Sequence, residues 1–160
     1  MSFLKINNLS VNYKMRKETI YAVKDINIDV KKGEILGLVG ESGSGKSTLG
    51  NAIINLIDEP GKISKGEVIL DGVNIHEKPE EILKYRGKKI GLIFQDPQTS
   101  LNPLLTIGEQ LVETIQTHLK LNLDRSKTRA INLLTEVGIK DAENRFDNYP
   151  HQFSGGMRQR

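Results

Sequence analysis

Apolar residues alternate with polar neighbours at Leu9, Val11 and Tyr13, and again at Ile26, Ile28 and Val30, the period-two pattern of strands with one wet face. The N-terminal part therefore reads as antiparallel strands, joined by the charged connection KMRKET, which has no apolar period. The run ILGLV, Ile35 to Val39, is apolar almost throughout and predicts a strand covered on both faces, the usual state of parallel strands in α/β sheets. Past the glycines that follow it, Leu49, Ala52, Ile53, Leu56 and Ile57 fall on one helical face.

Further along, EVILDGVNI (Glu67 to Ile75) sets Asp71-Gly72 between two short apolar runs, the chemistry of a two-residue hairpin turn. Ile90 to Phe94 (IGLIF) predicts a second buried strand, ending at Gln95-Asp96-Pro97. From Thr106 the period becomes helical: Thr106 and Glu109 match a capping box, and Leu111, Ile115 and Leu119 share a face. A second helix gathers Ala130, Leu133, Leu134 and Val137, with Gly138 placed to stop it. No internal repeat or low-complexity tract interrupts this order of strands, Gly-turn helix, strand and helical lobe.

Composition narrows the function. A chain of 160 residues suffices for one domain with a real core. No apolar run approaches the roughly 20 residues of a membrane span, and MSFLKINNLS lacks the build of a signal peptide, so a cytosolic location is expected. Without cysteine there are no disulfides or thiolate metal sites, and His76, His118 and His151 lack metal-ligand spacing and read as surface or structural. The net charge of +3 is dispersed; only Lys88-Lys89 and Arg158 with Arg160 approach a basic patch, which argues against nucleic acid as a partner.

The stretch GESGSGKST (Gly40, Glu41, Ser42, Gly43, Ser44, Gly45, Lys46, Ser47, Thr48) sits where the ILGLV run gives way to the helical face. It satisfies G-x-x-x-x-G-K-[ST] through Gly40, Gly45, Lys46 and Ser47, with Gly43 in addition. Glycines let the backbone curl until successive N–H groups converge on one anion, and the helix that follows adds its positive end. Lys46 is placed to reach the β- and γ-phosphates of ATP, and Ser47 to offer Mg²⁺ a hydroxyl oxygen. A merely flexible Gly/Ser loop would not need this strand-loop-helix context. The N-K-x-D tetrapeptide of a guanine reader does not occur.

The segment YPHQFSGGMRQR, Tyr149 to Arg160, resembles the signature of ABC-type ATPases, usually written LSGGQ, with Phe153 and Met157 departing from it around Ser154-Gly155-Gly156. FQDPQTSLNP (Phe94 to Pro103), taken with it, is similar to the ATP-binding subunits of bacterial oligopeptide, dipeptide and nickel importers. The resemblance implies an α/β fold with an incomplete P-loop NTPase core, an N-terminal antiparallel β-subdomain and a helical subdomain. Its parts would be residues 1–96 (β-subdomain and P-loop core) and 97–160 (helical subdomain). It implies that Gln95, a Q-loop glutamine, touches Mg²⁺ or the attacking water and joins Lys46 in catalysis. Tyr13 would stack on adenine, with Tyr21 as its competitor, and Ser154, Gly155 and Gly156 would face the nucleotide of a partner.

By the same resemblance the partners are a second ATP-binding subunit, transmembrane permease subunits and, indirectly, a substrate-binding protein, at the cytoplasmic face of the membrane. The Walker B aspartate, the following glutamate and the switch histidine do not occur, so the resemblance implies a fragment, inactive alone. A DNA-repair or chromosome-maintenance ATPase is the alternative, but fewer than 60 residues separate Gln95 from Ser154, with no heptad seam for a coiled coil. The third possibility is an inactive nucleotide-binding stub.

Overall fold

The computed structural model describes residues 2–77, 79–96 and 100–160. The chain divides into two compact units, one up to Ile90 and one from Gly91 onward.

In the first unit, β1 (Ser2–Lys14), β2 (Thr19–Lys31), β3 (Gly61–Leu70) and β4 (Val73–Asn74) form an antiparallel sheet in the order β2-β1-β3-β4. The expected N-terminal pair is thus present, with bulges. Near Asn8 (φ 47°) and Asp25 (φ 49°) the register slips, and side chains serve the displaced backbone: Asn8 N–H donates to Asn27 Oδ1 at 2.9 Å and Asp25 N–H to Ser10 Oγ at 2.9 Å. Asp71 and Gly72, at φ 50° and 80°, make the expected turn between β3 and β4.

Helix α1 (Lys46–Ile53) packs Leu49 and Ala52 against Ile6, Leu9, Val11, Val68 and Leu70 of the sheet. The expected helical face runs past the helix itself: Ile57 still packs against this core, while Leu56 is exposed. Helix α2 (Pro79–Tyr85), which the apolar pattern does not announce, adds Ile82 and Tyr85.

Two expectations are corrected. ILGLV is not a strand, because no described segment runs beside it to complete a ladder; Ile35 is 97% and Val39 95% exposed. Among the described residues IGLIF likewise has only a single bridge, between Arg86 and Ile90, and Ile93 is 85% exposed. Apolarity announces a buried strand, but pairing is supplied from elsewhere in a chain.

The second unit is helical: α3 (Ile107–Leu119), α4 (Leu123–Glu136), α5 (Ala142–Phe146), a 3₁₀ turn (Pro150–Gln152) and α6 (Gly155–Gln159). The Thr106 box is closed in both directions, Glu109 N–H donating to Thr106 Oγ1 at 3.1 Å and Thr106 N–H to Glu109 Oε2 at 2.7 Å. The Thr106 N–H first, and then the Thr106 hydroxyl, which donates to Glu109 Oε2 at 2.9 Å, hold the Glu109 carboxyl below its ordinary pKa. Asn122 caps α4, and Gly138 (φ 76°) stops it. Ile107, Leu134, Ile139, Ala142 and Phe153 make one core cluster; Val112, Ile115, Ala130 and Phe146 make another. Leu119 and Val137, assigned to helix faces by their spacing, lie at the ends and are exposed.

Candidate functional site

The phosphate-loop residues and Tyr13 belong to the first unit, and Gln95 and Ser154 to Gly156 to the second. In the loop, Gly43 (φ 82°) and Gly45 (φ 91°) hold the left-handed conformation that lets the chain double back into α1. Gly45 is also hemmed in, since a Cβ there would collide with the carbonyl oxygen of Ala22 on β2. The loop is thereby set against the sheet by a contact only glycine tolerates.

No side chain caps α1, and its first turn carries no acidic residue. Its leading N–H donors are left for an external acceptor, at the positive end of the helix. The Lys46 ammonium folds back over the loop, donating to the carbonyls of Gly40 at 2.7 Å and Glu41 at 2.6 Å, with Ser44 Oγ at 3.3 Å. Beside it opens a cleft of about 230 Å³ lined in part by Val23, Lys24, Leu38, Gly40, Ser44 and Lys46. Ser42, Ser47 and Thr48 ride on the loop and the start of α1, Ser47 exposed. Converging donors, one cation and hydroxyls suit a polyphosphate and its metal; the residues present fit ATP with Mg²⁺.

Two hydrogen-bonding groups brace the far end of α1: His76, which the sequence reads as surface or structural, and Arg86, which it does not single out. His76 donates from Nε2 to the Ala52 carbonyl at 2.9 Å, and Arg86 donates to the carbonyls of Ile54 and Asn55. No local pattern signals either one, because both contacts join residues more than 20 positions apart.

Tyr13 is half-buried on β1, between Ile20 of β2 and Gly61 of β3, whereas Tyr21 on the edge strand is 59% exposed. In the second unit, Gln95 is exposed at the end of the IGLIF segment, and Gln159 Nε2 donates to the Phe94 carbonyl just before it at 3.4 Å. Of the FQDPQTSLNP segment, Pro97, Gln98 and Thr99 lie outside the described residues. Ser154 caps α6, its Oγ accepting from Met157 N–H at 3.3 Å, and a Cβ on Gly155 or Gly156 would meet nothing within 4 Å. His151 stacks on Tyr149, and no cluster of three metal-ligating side chains occurs among the described residues.

A glycine loop wedged between sheet and helix, with its lysine folded inward, defines a nucleotide-phosphate site. Residues 23–160 match the ABC transporter family model, and the chain belongs to that family. It is 43% identical to the oligopeptide transport ATP-binding protein OppD of Bacillus subtilis over 98% of its length and 44% of that relative's. It is 44% identical to the dipeptide transport ATP-binding protein DppD of Escherichia coli over 100% of its length and 49% of that relative's. The chain thus spans about half the length of the curated relatives it matches. Among solved structures it resembles the ATP-binding cassette MJ0796 in a dimeric post-hydrolysis state bound to ADP and Pi, with TM-score 0.84 and 33% identity, covering 97% of this chain and 65% of that one.

Proposed function

We propose that the chain belongs to an ATP-binding subunit that couples ATP hydrolysis to uptake of oligopeptides, dipeptides or nickel, working at the cytoplasmic face of the membrane. The observation that carries this is the phosphate loop: uncapped α1, glycines at positive φ, and the Lys46 ammonium already turned onto the loop carbonyls. The names of the relatives, oligopeptide and dipeptide transport ATP-binding proteins, support the peptide substrates.

On this reading the loop N–H groups grip the β-phosphate and Lys46 exchanges its carbonyl partners for phosphate oxygens. Ser47 would offer Mg²⁺ a hydroxyl ligand, and the ion would supply positive charge that offsets the charge of the phosphates. Gln95 orients the attacking water. Ser154, Gly155 and Gly156 serve the nucleotide held by a second ATP-binding subunit, consistent with the dimeric state of the MJ0796 cassette. Closure and reopening of that pair move the permease subunits, to which a binding protein delivers the substrate.

Calorimetry of the full-length protein with Lys46→Ala tests the site. Lys46 acts on the β- and γ-phosphates, so ATP affinity falls and AMP affinity does not. Equal losses for both nucleotides would remove Lys46 from that role.

A further inference from the structure

Tyr13 and Gly61 are Cα partners across β1 and β3. A Cβ on Gly61 would stand 2.5 Å from Cε1 and 2.8 Å from Cζ of Tyr13, and 2.7 Å from Cγ2 of Ile57. The phenol ring therefore lies across the space that any side chain at position 61 would fill. Gly61 is not in the left-handed region, so room is what it supplies. A glycine inside a strand ordinarily weakens it, and an aromatic ring laid over it from the neighbouring strand restores the packing.

The location gives this packing a consequence. Tyr13 also pairs with Ile20 on β2, and Ala22, two residues further along, is the residue whose carbonyl hems in Gly45 of the phosphate loop. Two residues of strand are about 7 Å. Ile57, the other neighbour of position 61, lies just past α1, the helix that opens from that loop. Ring and phosphate loop are thus set by one corner of the same sheet.

We propose that Gly61 is a positioning residue for the nucleobase: it leaves the room in which the Tyr13 ring lies flat and is held ready to stack on adenine. The proposal rests on the assignment of Tyr13 as the adenine contact. Stacking requires a fixed face, and a methyl at position 61 pushes the ring off the strand. The phosphate loop is held at Gly45 by the Ala22 carbonyl, a contact that a methyl at position 61 does not meet.

The test is calorimetry on the full-length protein with two probes, Mg-ATP and magnesium tripolyphosphate, which has no base. Gly61→Ala is expected to weaken ATP roughly tenfold, within the range of one base-aromatic stack, and to leave tripolyphosphate unchanged. Tyr13→Ala gives the same pattern, and the double variant adds no further loss. If Gly61→Ala does not fold, Gly61→Ala with Ile57→Ala, which removes the other clashing atom, carries the same expectation. Equal losses for both probes, or additive losses in the double variant, overturn the proposal. ATP affinity unchanged by Tyr13→Ala instead overturns the assignment of Tyr13, and the proposal with it.

Discussion

The guanidinium of Arg86 donates twice to the carbonyl oxygen of Ile54, from Nε at 3.0 Å and Nη2 at 2.7 Å, and Nη2 also reaches the Asn55 carbonyl at 2.7 Å. These carbonyls follow the last turn of α1, where no intrahelical donor remains and a cation is favoured by the helix dipole. One side chain thus ties the exit of α1 to the segment that follows α2.

Arg86→Ala should therefore destabilise the protein by about 3 kcal/mol, the upper value for one hydrogen bond to a charged group, since several are lost together. Arg86→Lys should recover less than half, because a single ammonium cannot reproduce the fork. Urea midpoints of the three proteins check this, and indistinguishable midpoints would show that the clamp contributes nothing.

His76 gives the stability of the fold a pH dependence. Its Nε2 carries the proton donated to Ala52, which leaves Nδ1 buried and without a partner among the described residues. Burial lowers its pKa below the ordinary 6.5, outweighing the backbone bond that would raise it. The unfolded chain then takes up the proton first as pH falls. Stability is complete above the unfolded pKa and declines through and below it. Thermal melts between pH 8 and pH 5 should show a fall that His76→Gln flattens, as neutral Gln retains a donor for Ala52. Parallel curves for both proteins would contradict this.

Local chemistry made some elements legible. Asp71-Gly72, Thr106 with Glu109, and Gly138 each carry their own turn, cap or stop, and each is found where the sequence places it. The phosphate loop is legible for the same reason, its glycines and lysine being contiguous. Strand pairing is not local, so ILGLV and IGLIF announced burial without showing what would cover them. Gly61 under Tyr13 depends on register, and Arg86 on Ile54 on a contact 32 positions away; neither leaves a periodic trace.

Gly108 offers a test of packing in the helical unit. Glycine to alanine inside a helix ordinarily stabilises by about 1 kcal/mol. In α3, however, a Cβ at Gly108 would run into the ring of buried Phe146. Overpacking costs about 1–3 kcal/mol, so Gly108→Ala should destabilise on balance. Phe146→Leu should absorb much of that loss, giving a coupling energy in a double-mutant cycle measured by denaturation. Additive effects would mean that the ring is not what the methyl meets.

At Gly155 the space on the Cβ side is open, and its φ is not left-handed. Gly155→Asp should therefore leave the thermal midpoint of the full-length protein nearly unchanged. If this residue faces the γ-phosphate of a nucleotide on a second subunit, the new carboxylate brings like charges together in a desolvated cleft. ATP-dependent dimerisation, followed by sedimentation, should then fail while ATP binding to the monomer persists. Normal dimerisation would remove Gly155 from the interface.

Ile35 and Val39 stand almost fully exposed on backbone that has no ladder among the described residues. Such a run offers free N–H and C=O groups with apolar side chains between them, a template for pairing with another chain. The relatives are about twice as long as this chain, and longer chains bring further segments able to lie beside it. A polar substitution should then have opposite effects in two settings. In the 160-residue chain, Ile35→Lys should reduce self-association and dye binding to exposed apolar surface. In a chain of the relatives' length, in which a further segment covers this run, the same lysine would have to enter a covered strand, and an unpaired charge there is expensive to desolvate. Ile35→Lys should consequently lower the thermal midpoint of the long chain while improving the behaviour of the short one. A substitution that was neutral in the full-length protein would show that residues 35–39 stay exposed there, and that their apolar character serves something other than a sheet.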